Sequence, residues 1–311
     1  MKIEACILTG MLAAAFVAAE PAFPASLPDT GGVPVPILVT VRPPRTGGQA
    51  PTLEPGSLTV LAGNKPAPVI GLERLAGDLK DLQLFIFLDD STRSASLGIQ
   101  LPEVRTFLES LPPSAQVAIG YMRNGMVALA QPFTTDHRKA ARALRLPLAL
   151  PGENGSPYFA LSDLVKHWPS KEPAARRAAL LLTDGVDRYY GPTIEDDPYV
   201  DAAIEDTLKQ SVSIYTIYLL GAGRYGRGSW TTNIAQSRLM QVAEETGGYA
   251  YFQAFTDPVT IAPFLNDLRD RLENQYRVTI SASGGKGIQT VKLRAEMPGT
   301  KVSGPTRIYV P

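Results

Sequence analysis

Apolar positions along this chain follow two rhythms. Up to about residue 80, and again after residue 275, they form short extended runs separated by Pro, Gly and polar residues. Between those limits, unbroken apolar runs alternate with helical stripes. In the front piece, Ile37 to Val41 reads as a strand. Leu58 to Leu61 and Pro68 to Ile70 flank Gly63-Asn64 as a hairpin. The stretch from Leu82 to Asp89 is apolar without alternation, the pattern of a strand buried on both faces. The spacing of Val104, Phe107, Leu108 and Leu111 predicts a helix with Pro102 in its first turn and Pro112-Pro113 at its end. Gln116 to Tyr121 reads as a strand that turns at Asn124-Gly125 into an antiparallel edge strand, Met126 to Ala130. Next come a short helix from Asp136 to about Leu144, a helix after Ser156-Pro157 and a strand from Arg177 to Asp184. A helix opened by Asp197-Pro198 leads to a strand from Val212 to Leu220. A further helix begins near Ile234 and ends at Gly247-Gly248. A strand from Tyr249 to Gln253 precedes a helix opened by Asp257-Pro258. The tail returns to strands at Tyr276 to Ala282, Val291 to Ala295 and Arg307 to Val310.

This order predicts an α/β fold over residues 81–275: a doubly wound, Rossmann-like core around a mostly parallel six-stranded sheet. Residues 20–80, a loose leader followed by strands, are expected to pair with residues 276–311 as a small β subdomain.

Residues 1–19 read as an export signal. Lys2 precedes an apolar stretch from Ala5 to Ala19 that closes on small residues and is shorter than the ~20 residues of a membrane span. The expectation is a secreted or periplasmic protein with no stable membrane span after cleavage. Cys6 is the only cysteine and lies in this segment, so disulfides, zinc-thiolate sites and cysteine nucleophiles are not expected. Lys and Arg number 30, as do Asp and Glu. With no net charge, nothing draws the chain as a whole to nucleic acid or to an anionic membrane.

The chemistry gathers at two strand ends. Leu88 is followed by Asp89-Asp90-Ser91, and Leu182 by Thr183-Asp184-Gly185. Polar residues just past buried strands stand at the sheet edge where ligands collect. Asp89-x-Ser91, the loop Gly155-Ser156 before a helix, and Thr183-Asp184-Gly185 together resemble a von Willebrand factor type A (VWA) domain, over about 195 residues and in the same order. The flanking strands resemble a VWFA-related family of secreted bacterial proteins. The resemblance implies a divalent cation, usually magnesium, held by Asp89, Ser91, Ser156 and Asp184 and bridging to an acidic group on a protein partner. Magnesium takes hard oxygen ligands and keeps several waters, so such a site can accept a partner's carboxylate.

Arg93 departs from this pattern, standing where a second Ser is expected. A guanidinium about 4 Å from a divalent ion would cost several kcal/mol, so Arg93 points away, or it pairs with Asp89 or Asp184 and no ion binds. A second register, Asp90-x-Thr92-x-Ser94, stays open. Two loops expected at the same edge carry Arg188, Tyr189, Tyr190 and Tyr199, and Arg224, Tyr225 and Trp230. With Arg93, the residues Tyr189, Tyr190, Arg224, Tyr225 and Trp230 are candidate partner contacts. The alternative is that the aromatics pack their loops on the core. Asp184-Gly185 and Asp187 also read as a solvated turn.

Gly221 to Gly226 spells G-x-G-x-x-G, but with a helix only from Ile234 and no acid ending the following strand, nucleotide binding is not expected. His137, expected exposed, and His167 have no nucleophile or ligand spacing beside them, and no G-x-S-x-G elbow occurs. The sequence therefore points away from an enzyme. It points to an interaction, adhesion or scaffold module with a degenerate metal site, or to a structural envelope-assembly protein whose site is vestigial and metal-free.

Overall fold

The computed structural model describes residues 31–43, 50–75, 79, 81–150, 153, 155–172, 175–191, 193–221 and 228–311. The proposed export signal and most of the leader lie outside them, as do Arg224 and Tyr225. In chain order the strands and α-helices are β1 (Val33–Arg42), β2 (Leu58–Ala62), β3 (Lys65–Pro66), β4 (Val69–Arg74), β5 (Leu82–Asp89), α1 (Ser94–Glu109), β6 (Gln116–Arg123), β7 (Met126–Thr134), α2 (His137–Arg142), α3 (Pro157–Lys166), β8 (Arg176–Thr183), α4 (Pro198–Lys209), β9 (Val212–Tyr218), α5 (Ser229–Glu245), β10 (Tyr249–Tyr251), α6 (Ala262–Glu273), β11 (Gln275–Ala282), β12 (Gly287–Ala295), β13 (Lys301–Ser303) and β14 (Arg307–Val310).

The core is a six-stranded sheet in the order β10-β9-β8-β5-β6-β7. All neighbours are parallel except β6 and β7. The unbroken apolar run of β5 follows from its central place, with both faces covered. Leu84, Ile86 and Leu88 pack with Leu101, Ala140 and Leu268 from α1, α2 and α6 on one face. Phe85 and Phe87 pack with Leu161, Leu164 and Ile204 from α3 and α4 on the other.

The front and tail strands interleave in two four-stranded sheets, β13-β1-β11-β4 and β14-β12-β2-β3, around a shared core that includes Val39, Val60, Val278 and Ile308. The central pairing is antiparallel and joins β1 to β11 from Val33↔Ala282 to Thr40↔Gln275.

Several local expectations change. The leader's last residues belong to β1, which begins at Val33. Gly63 and Asn64, both with positive φ, turn β2 into the short β3 (Lys65–Pro66), while Val69–Arg74 crosses to the other sheet and pairs with β11. Helix α1 starts at Ser94, so Pro102 lies in its interior. Leu97 and Leu101, both buried, extend the apolar stripe upstream of the proline. Helix α5 starts at Ser229, which puts Trp230 in its first turn. Helix α6 starts only at Ala262, because the Asp257 carboxylate instead accepts from the Leu220 N–H and the Ser96 hydroxyl. His137 is buried, its Nε2 2.8 Å from the Ala115 carbonyl.

Candidate functional site at the carboxyl edge of the sheet

Strands β5 and β8 leave the sheet side by side. Leu88 is paired with Leu182, and Asp89, Thr183 and Asp184 follow at the edge. From β5 the chain continues to β6 and β7 on one side, and from β8 to β9 and β10 on the other. The crevice between them is the switch point at which open α/β sheets bind ligands.

Strand alternation decides which acid enters this crevice. Asp89 shares the parity of Phe85 and Phe87. Its Oδ2 accepts from the Thr183 hydroxyl at 2.8 Å, and its Oδ1 accepts from the Ser91 N–H and hydroxyl, each at 2.9 Å. Asp90 faces the opposite way. The Arg145 guanidinium forks its carboxylate at 2.5 and 3.3 Å, and the Leu148 N–H donates to it at 3.0 Å. Thr92 turns its hydroxyl back to the Asp89 carbonyl. Asp89 thus faces Thr183 across the crevice, while Asp90 and Thr92 turn elsewhere.

Asp184 and Asp89 lie close enough to repel. Burial first, and the Asp184 charge second, raise the Asp89 carboxyl above its ordinary range. The compensating cation is Arg188. Its Nη2 donates to Asp184 Oδ2 at 2.5 Å and its Nη1 to Asp184 Oδ1 at 3.3 Å. Burial opposes the guanidinium charge, but Asp184, then Asp89 and Asp187, outweigh it and hold the proton more firmly than usual. Gly185 makes this possible. Its φ of +67° turns the chain back, and a Cβ there would meet Leu239 at 2.7 Å. Arg93 does not play this part. It is the residue before α1 and forms no ion pair with any described residue.

Ser156 caps α3, its Oγ accepting from the Tyr158 and Phe159 N–H groups, and its hydroxyl donates to Asp187 Oδ2 at 2.6 Å. Asp187 is fully buried, not part of a solvated turn. Its Oδ1 accepts from the Tyr189 and Tyr190 N–H groups, each at 2.8 Å. The Gly155 carbonyl accepts from the Arg188 and Tyr189 N–H groups at 2.7 and 2.9 Å. This mesh fixes a loop that shows Tyr189, 66% exposed, and Tyr190, 39% exposed. Their rings contact Phe159 and Tyr199 edge-on, with centroids 5.0 to 5.8 Å apart. The rings thus pack on one another and face solvent. Trp230 is 56% exposed on α5.

The donor set for a divalent ion is Asp89, Ser91, Ser156 and Asp184. Such an ion needs these oxygens turned to one point. Ser156 is instead turned to Asp187, Ser91 to Asp89, and Asp184 carries the Arg188 fork. Among the described residues, no group of three or more His, Cys, Asp or Glu is disposed to hold a metal. As arranged, the residues do not fit a divalent cation, and a guanidinium supplies the positive charge.

The glycine-rich segment does precede a helix directly, since α5 begins at Ser229; residues 222–227 lie outside the described residues. The next strand, β10, ends at Tyr251, with Phe252 and Gln253 after it, so the acid of a dinucleotide site is missing there. Sequence reasoning missed the Asp184–Arg188 and Asp90–Arg145 pairs and the organising role of Asp187. The one local hint was Arg188 four residues after Asp184 with a glycine between them.

No protein-family model matches the chain, and no curated protein matches it. Solved structures with a similar arrangement include an aerotolerance-related membrane protein from Bacteroides fragilis, 12% identical, with a TM-score of 0.44, covering 61% of this chain and 98% of that one. The VWA domain of SpRpn10 is 13% identical, with a TM-score of 0.40, covering 61% and 97%. Proximal thread matrix protein 1 from the mussel byssus, whose MIDAS motif is zinc-occupied, is 13% identical, with a TM-score of 0.45, covering 69% and 50%. At these values no residue role is carried across. The core of this chain is VWA-like in fold on the evidence of its own sheet: a doubly wound order with an acid delivered by each of the two strands at the switch point.

Proposed function

We propose that the chain is an exported, non-enzymatic interaction module. It engages a protein partner at the carboxyl edge of its sheet, with Arg188 in place of a metal ion. One observation carries this reading: Tyr189 and Tyr190 are exposed, yet the buried Asp187 and the Gly155 carbonyl hold their backbone rigidly. Aromatic side chains fixed before contact lose little entropy on binding, which is how preorganised recognition surfaces gain affinity. Export rests on residues 1–19. No helix among the described residues is long and apolar enough to cross a membrane. A magnesium-bridged contact would first require Arg188 to withdraw from Asp184.

The test compares proteins captured from the native envelope fraction by the full chain and by the double variant Tyr189→Ala/Tyr190→Ala, with thermal unfolding as the control for folding. The expected result is recovery of one partner reduced at least about tenfold by the double variant, at unchanged thermal midpoint and with no effect of chelator. Equal recovery by both forms would refute the tyrosine surface. Recovery abolished by chelator would replace Arg188 with a metal-bridged mode.

A further inference from the structure

A second concave site opens at the opposite, amino-terminal edge of the same sheet. It is a cleft of about 550 Å³ between the α/β core and the β subdomain, lined by β1, the start of β8, the end of α4 and β14. It lies a strand's length, roughly 25 Å, from the acidic crevice. Clefts between subdomains are common ligand sites. Five cations line this one, Arg176, Arg177, Lys209, Arg277 and Arg307, and no lining side chain is acidic.

Three of these charges are met by carboxylates outside the cleft. Arg277 pairs with Glu73 at 2.6 Å, Arg307 with Glu245 at 2.7 Å and Lys209 with Glu205 at 2.7 Å. The two on β8 form no such close pair with a described residue. Arg176 is only 3% exposed, and its Nη1 donates to the Leu272 carbonyl at 2.6 Å and to Gln275 Oε1 at 3.0 Å, both neutral acceptors. Burial lowers its pKa to about 10 and the Arg277 charge adds to that, while Tyr215 and Asp81 act in the opposite direction. Arg177 is half-buried over the face of Trp168, its guanidinium carbon 5.9 Å from the ring centroid, and forms no ion pair with a described residue. Of the five lining cations, Arg177 is therefore the one that is both open to the cleft and outside any ion pair with a described residue. The cleft wall is otherwise apolar in part, with Pro36, Leu208 and Ile308.

We propose that this cation-lined cleft binds a small organic anion, its carboxylate or phosphate head on Arg177 and its apolar body against Pro36, Leu208 and Ile308. Guanidinium is the side chain suited to either head, through paired N–H donors. The site is independent of the partner-binding edge.

Isothermal titration of the full chain with octanoate, octyl phosphate and uncharged octanol tests this. At least one anion is expected to bind and octanol not to; the tighter anion identifies the head group. Arg177→Gln is expected to weaken that binding about tenfold or more, and Arg177→Lys to weaken it less, because a point charge remains without the paired donors. Arg177 is the residue to change because Arg176 is buried and its loss could unfold the chain. Binding of octanol as tight as that of the anions, absence of binding by either anion, or unaltered affinity in a folded Arg177→Gln variant would each overturn the proposal.

Discussion

A guanidinium inside an acidic crevice has two effects: it neutralises the carboxylates around it and occupies the space a metal ion would need. Arg188 stands in that position against Asp184, with Asp89 and Asp187 in its field. Arg188→Ala removes the cation and leaves the buried Asp184 carboxylate without its guanidinium, so a loss of about 3–5 kcal/mol is expected. The same change frees both Asp184 oxygens from the fork. Millimolar magnesium or manganese should then raise the thermal midpoint of the variant and leave that of the native chain unchanged; equal responses in the two would refute this account of Arg188. Asp89 gives a pH signature of its own. Its carboxyl is raised above the ordinary range by burial and then by Asp184, so the folded chain holds this proton more tightly than the unfolded chain does. Stability therefore falls as pH rises through the raised value and stays lower above it. Asp89→Asn lifts that penalty. Thermal unfolding is expected to show the variant more stable than the native chain near pH ~7, with the advantage gone below pH ~4.

Helix ends show which local signals survive folding. Ser156-Pro157 and Asp197-Pro198 each begin a helix with the side-chain cap that their residue types imply. Ser156 also binds Asp187, so Ser156→Ala removes a cap worth about 1 kcal/mol and leaves a buried acceptor unmet at about 1–3 kcal/mol more. Amide exchange in residues 187–190 should quicken in that variant; if only α3 loosened, the link from cap to tyrosine loop would be wrong. Pro102 shows the opposite case. A proline at the first turn is the usual reading, but α1 begins eight residues earlier because Leu97 and Leu101 bury against the sheet, and tertiary packing outweighs the missing N–H. Pro102 is exposed, so Pro102→Ala restores a helical bond without touching the core and is expected to stabilise by about 1–3 kcal/mol in denaturant unfolding. The strand order and the two acidic strand ends were legible because apolar periodicity and turn residues are local. Arg188 was not, because its approach to Asp184 depends on the left-handed turn at Gly185. Nor was Arg145, which reaches Asp90 from 55 residues away.

At the scale of the whole molecule, the question is whether core and β subdomain behave as one cooperative unit. Asp267 on α6 joins them. Its Oδ1 accepts from Arg42 at the end of β1 at 2.7 Å, and its Oδ2 accepts from Arg271 at 2.6 Å and from the Tyr251 hydroxyl at 2.8 Å. Strand β11 leaves α6 almost at once and pairs along β1, so the same contact closes a ring through both units. Burial works to raise the Asp267 carboxyl, but Arg271, with Tyr251 and Arg42, outweighs it and holds the group below its ordinary range. Stability from a depressed carboxyl is present above the ordinary value of 3.8 and is lost as pH falls through the depressed one. Guanidinium chloride unfolding of the native chain near pH ~7 should therefore give one transition, with Trp168 fluorescence and far-UV circular dichroism coinciding. Asp267→Asn is expected to lower the unfolding free energy by about 1–3 kcal/mol, the worth of hydrogen bonds to a charged group. That difference should shrink in acid once the native carboxyl is itself protonated. Two separate transitions in the native chain would show that the β subdomain folds on its own and that the Asp267 contacts are only surface pairs.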